Sequence, residues 1–263
     1  MSDGFDPALF EPLAAIEDRH FWFRARNRVI AAVAARLVAR LASGFRVLEV
    51  GCGAGNVLRV LETTCRGGLL TGMDLFGEGL AHARRRTRCP LVAADLRRPP
   101  FRCGFDLIGA FDVIEHLEDD REALADLRRL LNPGGRLLVT VPAHRSLWSY
   151  FDEAAHHARR YEAAELEEKL TAAGYRVEYL TPYMLSLYPL LWLARRAAGR
   201  LDRRPAAQQL TQRDLRIYPV LNRLLEWALA PEARLIARRR RLPLGTSLLA
   251  IAAADTATPN SAR

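Results

Sequence analysis

The stretch Val47-Leu48-Glu49-Val50-Gly51-Cys52-Gly53-Ala54-Gly55-Asn56 constrains this chain more than any other. Its first residues, with Phe45 and Arg46 before them, read as a buried strand. Three glycines follow at alternate positions, and a helical pattern begins at Asn56. Glycines placed there let the backbone approach a ligand and present amide N–H groups at a helix N-terminus. A strand feeding a helix in this way belongs to a parallel sheet, so the rest of the chain should alternate likewise.

It does. Residues 25–42 place Ile30, Val33, Ala34, Leu37, Val38 and Leu41 at helical spacing, and Ser43-Gly44 ends that helix. Strands are predicted at 45–50, 69–73 (stopping at Asp74), 91–94 (at Asp95), 105–111 (at Asp112), 136–141, 175–180 and 247–253. Helices are predicted at 56–65, 77–87, 119–131 (stopped by Asn132-Pro133-Gly134-Gly135) and 162–173. This is an α/β chain with a Rossmann-like, mostly parallel sheet of seven strands and helices on both faces. Ligands of such sheets bind at the carboxyl ends of the strands, where the glycines, Asp74, Asp95 and Asp112 all fall.

Three details narrow the ligand. The glycines lack the last spacing of the dinucleotide fingerprint, since Asn56 holds that sixth position. Glu49 stands two residues before the first glycine, a poor neighbour for a pyrophosphate. Asp74 ends the next strand, where an acid accepts hydrogen bonds from ribose hydroxyls. A ligand with a ribose, no phosphate and a cationic end fits best, which describes S-adenosylmethionine.

At this point the chain resembles the class I S-adenosylmethionine-dependent methyltransferases. The matching strings are Val47 to Gly55, Gly72-Met73-Asp74, Ala94-Asp95-Leu96, Phe111-Asp112-Val113-Ile114-Glu115-His116-Leu117 and Leu130 to Gly135. The resemblance implies that Gly51, Cys52, Gly53 and Gly55 pack on the methionine part and ribose, and that Glu49 favours the cationic end. It implies that Asp74 holds the ribose hydroxyls and Asp95 the adenine amino group. Leu75 and Leu96 would pack on the adenine ring, and the Phe111 carbonyl would face the methionine ammonium. It also implies an antiparallel last strand.

Methyl transfer from a sulfonium needs alignment and a dry site more than acid–base help. An acceptor oxygen or nitrogen of high pKa still benefits from a base, usually histidine. His116, His144 and His157 are the catalytic candidates. His116 equally suits a structural or cofactor contact, because the histidine is common in relatives with unlike acceptors. Two strings, Glu17 to Arg26 and Val141 to Tyr161, concentrate Trp, His and Arg. They resemble a bacterial subgroup of small-molecule methyltransferases whose cousins act on quinones and other lipids. Either Trp22 and Trp148 pack a lid onto the sheet, or His20, Trp22, Arg26, Trp148, Asp152 and Tyr161 line the acceptor pocket.

The domain boundaries expected are N-terminal lid helices over 1–44, a methyltransferase core over 45–181 plus 246–254, a helical insertion over 182–245 and a disordered tail over 255–263. The net charge of +9 resides in the insertion, which holds thirteen arginines against four acids. It also holds the apolar run 184–194 and an amphipathic stretch at 217–229. The insertion is either a cap on the acceptor pocket or a peripheral membrane contact, with an apolar face in the interface and arginines on anionic headgroups. The partner expected is a small-molecule or lipid-linked acceptor methylated on oxygen.

A nucleic-acid acceptor competes for the basic charge. It is disfavoured, because the fourth strand lacks the Asn/Asp-Pro-Pro-aromatic string of base-amino methylation and no Pro-Cys pair supplies a nucleophile. A non-catalytic cofactor-binding subunit would normally have lost part of the glycine and acid set. The four cysteines form no Cys-x-x-Cys pair, so neither a metal site nor a disulfide framework is expected. The acidic N-terminus and the lack of an apolar run of about 18 residues predict a cytoplasmic protein, with any membrane association peripheral on the inner face.

Overall fold

The computed structural model describes residues 5–102, 104–198 and 216–254. The predicted tail (255–263), residues 199–215 of the insertion and Cys103 lie outside them. Seven strands form one sheet: β1 (Arg46–Val50), β2 (Leu69–Asp74), β3 (Leu91–Ala93), β4 (Phe105–Phe111), β5 (Leu131–Pro142), β6 (Tyr175–Tyr183) and β7 (Ser247–Ala254). Their order is β3-β2-β1-β4-β5-β7-β6. β1 to β5 pair in parallel, whereas β7 runs antiparallel to both β5 and β6.

Alternate residues of each strand serve opposite faces, as the two-residue period requires. Val47, Leu107, Leu138, Leu249 and Ile251 meet α2 (Phe21–Val38) and α3 (Asn56–Thr64) on one face. Leu48, Ile108, Leu137, Val139 and Leu248 meet α5 (Asp120–Leu130) and α7 (Ala163–Ala172) on the other. Each fully buried aliphatic side chain contributes about 1.5–3 kcal/mol. These two layers therefore supply the main driving force of folding.

The edges of several elements differ from the sequence prediction. α2 starts at Phe21 because the His20 imidazole accepts from the Trp22 amide at 3.3 Å, capping the helix. It ends at Val38, before the predicted stop. β5 begins at Leu131, inside the predicted helix stop. There Leu131 pairs with Phe105 before the register shifts and Arg136 pairs with Leu107. Glycine permits this bulge: a Cβ on Gly135 would stand 2.9 Å from the carbonyl oxygens of Asn132 and Phe105.

The insertion between β6 and β7 contributes α8 (Tyr188–Ala198) and α9 (Pro219–Ala237). α9 lies along α2. Asn222 accepts from the Phe21 amide at 2.8 Å and donates to the Arg19 carbonyl at 3.0 Å. Glu226 accepts from Arg28 and, at 3.1 Å, from Arg24. Glu232 accepts from the Met184 and Leu185 amides. Glu226 and Glu232 of α9 thus face the protein together with the core residues Leu229, Ala233 and Ile236, while Val220, Leu221, Leu224, Trp227 and Leu235 are exposed. No helix among the described residues is long and apolar enough to cross a membrane.

Candidate active site

The carboxyl ends of β1, β2 and β4 gather the predicted cofactor residues. Gly51, Gly53 and Gly55 all adopt positive φ, at 65°, 50° and 80°. A Cβ on Gly51 would stand 2.4 Å from Val113 Cγ2, and one on Gly55 3.0 Å from the Ala83 backbone. The turn is therefore closed to larger residues by space as well as by backbone conformation. Asp74 is buried at its foot, accepting from the Gly53 amide at 2.7 Å and the Phe76 amide at 2.8 Å.

Glu49 lies beneath this turn, 2 % exposed, and its Oε2 has no hydrogen-bond partner. Burial holds its carboxyl well above the usual carboxylate range, with Arg26 opposing and Asp74 and Glu17 adding to the rise. Such a group is completed by a cation. Burial also raises Asp74, against the pull of its backbone donors. Leu75 is exposed and Leu96 buried at the ends of β2 and β3, and Cys52 and Phe111 are buried. Asp95 is engaged by Arg97, through Nη2 at 2.7 Å. The orphaned carboxylate and the glycine cradle together fit a ligand with a ribose and a cationic end, so S-adenosylmethionine suits these residues.

The N-terminal segment covers the turn. α1 (Phe10–Ile16) begins with Phe10, whose ring would stand 3.5 Å from a Cβ on Gly53. Phe5 packs against Phe10 with the rings tilted at 46° and their centroids 4.8 Å apart, and meets His116 edge-on at 6.1 Å. One aromatic strip thus runs from the glycine turn to His116.

The predicted acceptor residues divide. His20 caps α2 and is buried. Arg26 lies over the Trp22 ring at 4.9 Å and donates to Asp112 at 2.7 Å, so its guanidinium is engaged by the protein. Tyr161 is wholly buried, donating to Asp120 at 2.7 Å and to the Ile114 carbonyl at 3.3 Å. The expectation that it faces the acceptor gives way to a core role. Asp152 is also wholly buried: it caps α6 (Tyr150–Ala154) through Ser149 and binds His157 at 2.9 Å and Arg160 at 2.7 Å. Those partners overcome burial and bring its carboxyl down to about 2. Trp148 remains exposed.

Two of the catalytic candidates are held by carboxylates. His144, just past β5, adopts a positive φ of 61° and sets its Nδ1 3.0 Å from Glu162, leaving Nε2 buried and without a partner. His157 is held by Asp152 and its ring meets that of His116 at 4.8 Å. Burial and the neighbouring His157 bring His116 down to about 3, so its ring is neutral at physiological pH. Glu115, which sequence reasoning did not single out, is completely buried with both carboxylate oxygens unpartnered. His157 lies 42 residues after Glu115, so no sequence spacing announces their proximity.

Comparison with known proteins agrees with this geometry. Residues 22–180 match the methyltransferase domain family. A probable S-adenosylmethionine-dependent methyltransferase of Mycolicibacterium smegmatis is 31% identical over 63% of this chain and 63% of its own length. A malonyl-[acyl-carrier protein] O-methyltransferase of Enterobacter lignolyticus is 32% identical over 59% of this chain and 62% of its own. A trans-aconitate 2-methyltransferase of Methylobacterium nodulans is 32% identical over 59% and 67%. The alignments thus span little more than three fifths of the first relatives' length. Among solved structures, a methyltransferase from Haloferax volcanii in complex with the Trm112 activator superposes with a TM-score of 0.59 at 21% identity, over 96% of this chain and 95% of that one. At that identity the likeness speaks for the fold.

Proposed function

Because the chain belongs to the methyltransferase domain family, we propose that it transfers a methyl group from S-adenosylmethionine to an oxygen of a small-molecule or lipid-linked acceptor. The observation that carries this reading is the buried Glu49, whose Oε2 has no partner, under the glycine turn. Bound there, the cofactor would supply an electrophilic sulfonium methyl, whose transfer would form the bond to the acceptor oxygen and break the bond to sulfur, which would leave as a neutral thioether. Gly51, Gly53 and Gly55 let the backbone approach it, Glu49 complements its cationic end, and Asp74 accepts from the ribose. Asp95 and Leu96 flank the adenine position. Phe5 and Phe10 keep water from the turn.

His144 takes the acceptor proton in this reading. Glu162 holds one ring nitrogen, so the other presents a lone pair in a buried setting, the geometry of an oriented general base. The choice of oxygen draws support from the O-methyltransferase among the relatives. An untargeted mass-spectrometric comparison of extracts incubated with the protein and isotopically labelled cofactor tests the reading. A labelled small molecule or lipid, lost with Asp74→Ala and strongly reduced with His144→Ala, is expected. A labelled RNA with no labelled small molecule would overturn it.

The lipid side of the reading has its own support. α9 turns Glu226 (7 % exposed) inward and Trp227 (67 %), Leu224 (54 %) and Val220 (75 %) outward. Leu229, Ala233 and Ile236 bury an inner apolar face as usual, so α9 carries a second, exposed apolar stripe where a surface helix is ordinarily polar. Exposed arginines flank the stripe at 223, 234 and 238–241. An anionic membrane surface accommodates both features, each arginine adding on the order of 1 kcal/mol. Salt-sensitive flotation with anionic vesicles, abolished by Leu224→Glu/Trp227→Glu, is the expected result. A protein that stays in the soluble fraction at low salt returns α9 to a cap on the acceptor pocket.

A further inference from the structure

The residues past β4 and past α6 meet in a buried cluster of Glu115, His116 and His157. Glu115 is completely buried, and neither carboxylate oxygen has a hydrogen-bond donor. Burial of this kind disfavours the charged carboxylate unless a cation lies beside it. Beside it, His116 has an unpartnered, buried Nδ1. His157 completes the group. Its Nδ1 lies 2.9 Å from Asp152, so Nε2 carries the lone pair. Ligand atoms of all three residues lie within 4.8 Å of one another.

This is the composition of an open divalent-metal site: two imidazoles and one carboxylate, with a position left over. It also has the outer support such sites need. Asp152 orients His157, and Arg160 and Ser149 in turn hold Asp152, at 2.7 Å and 2.8 Å. A tetrahedral site needs its ligands roughly 3.3 Å apart for bonds of about 2.0–2.1 Å. Small rotations of three terminal side chain groups close the remaining distance.

We propose that Glu115, His116 and His157 bind one divalent transition-metal ion of the zinc type, with Asp152 and Arg160 as the supporting residues. The fourth position is open to water or to an oxygen of a bound molecule. The site rests on neither the identity of the acceptor nor the assignment of the cofactor.

The test uses the full-length protein, stripped with chelator and titrated with Zn²⁺ against a chromophoric competitor. One equivalent should bind with sub-micromolar Kd. Glu115→Gln and His157→Ala should each weaken binding at least 100-fold, while His82→Ala, in the half-buried last turn of α4 (Gly77–Ala83), should leave it unchanged. Co²⁺ added to the stripped wild-type protein should give the intense visible absorption of a four-coordinate ion, a readout that does not depend on how the variants fold. Calorimetry of S-adenosylmethionine binding by the same stripped protein separates this proposal from the functional reading, since the cofactor should still bind. Zn²⁺ binding far below one equivalent, a featureless Co²⁺ spectrum, or undiminished binding in both variants would overturn the proposal.

Discussion

Arg26 of α2 donates to Asp112, the residue that ends β4, at 2.7 Å, and so ties the N-terminal helix to the strand end beside the cofactor turn. Asp112 itself adopts a positive φ of 56° and accepts from Thr140 at 3.2 Å. Removing Arg26 leaves Asp112 largely buried without its cation. Arg26→Met should cost about 3 kcal/mol in urea denaturation. The double variant Arg26→Met/Asp112→Asn should recover much of it. Equal losses in the single and the double variant would show that packing against Trp22, not the ion pair, carries the effect.

The glycine turn makes a second prediction. Gly51→Ala places a Cβ against Val113 and holds a side chain at φ 65°. The conformation alone costs about 1–2 kcal/mol. The variant should fold, melt lower and bind S-adenosylmethionine at least tenfold more weakly by calorimetry. Adding Val113→Ala should restore the part of the melting temperature lost to the clash and leave the conformational part.

Glu49 links cofactor binding to protons. Its raised folded pKa, due first to burial, means that the free protein holds a proton there that a cationic ligand expels. Binding of S-adenosylmethionine should therefore strengthen as pH rises toward that pKa. The calorimetric heat should vary with the ionisation enthalpy of the buffer. Glu49→Gln should abolish both dependences. Equal heats in phosphate and Tris for the wild-type protein would refute this linkage.

Asp120 sets an acid limit. Burial raises its carboxyl, but bonds from Lys169 and Tyr161 and the Arg159 guanidinium at 3.0 Å outweigh it, and the folded pKa lies below the usual value. The sign follows from linkage. The stabilisation is complete above the unfolded carboxyl pKa of about 3.9 and is lost as pH falls through the lower folded value. Asp120→Asn should destabilise the protein at pH 7 by about 2–4 kcal/mol. The variant should show a smaller further loss between pH 5 and pH 3 than the wild-type protein. Melting curves across that range provide the measurement.

Much of the core was legible because its signals are local. Val47 to Gly55 had to be strand, turn and helix on the strength of their own side chains, and the stops at Asp74 and Asp112 lie where the strands end. The last-strand topology came through resemblance and is present in the sheet order. What escaped were the relations made by distant packing. His20 reads as a pocket histidine until its imidazole is seen on the Trp22 amide. Tyr161 reads as an acceptor contact until Asp120 is found opposite its hydroxyl. Glu115 was invisible as a functional residue because its distinction is a lack of partners, and a lack of partners has no sequence signature.

The placement of β7 governs how the molecule can be assembled. Among the described residues β6 pairs with no strand but β7, and β7 also completes the exposed side of β5. During synthesis, β1 to β5 can collapse as a sheet while β6 waits with all its ladder groups unpaired, until residues 247–254 have been made. The intervening insertion therefore sets a time delay as well as a loop length. A nascent chain held in that interval presents two open strand edges, at β5 and at β6, and it is there that a holding chaperone would act and that aggregation would begin.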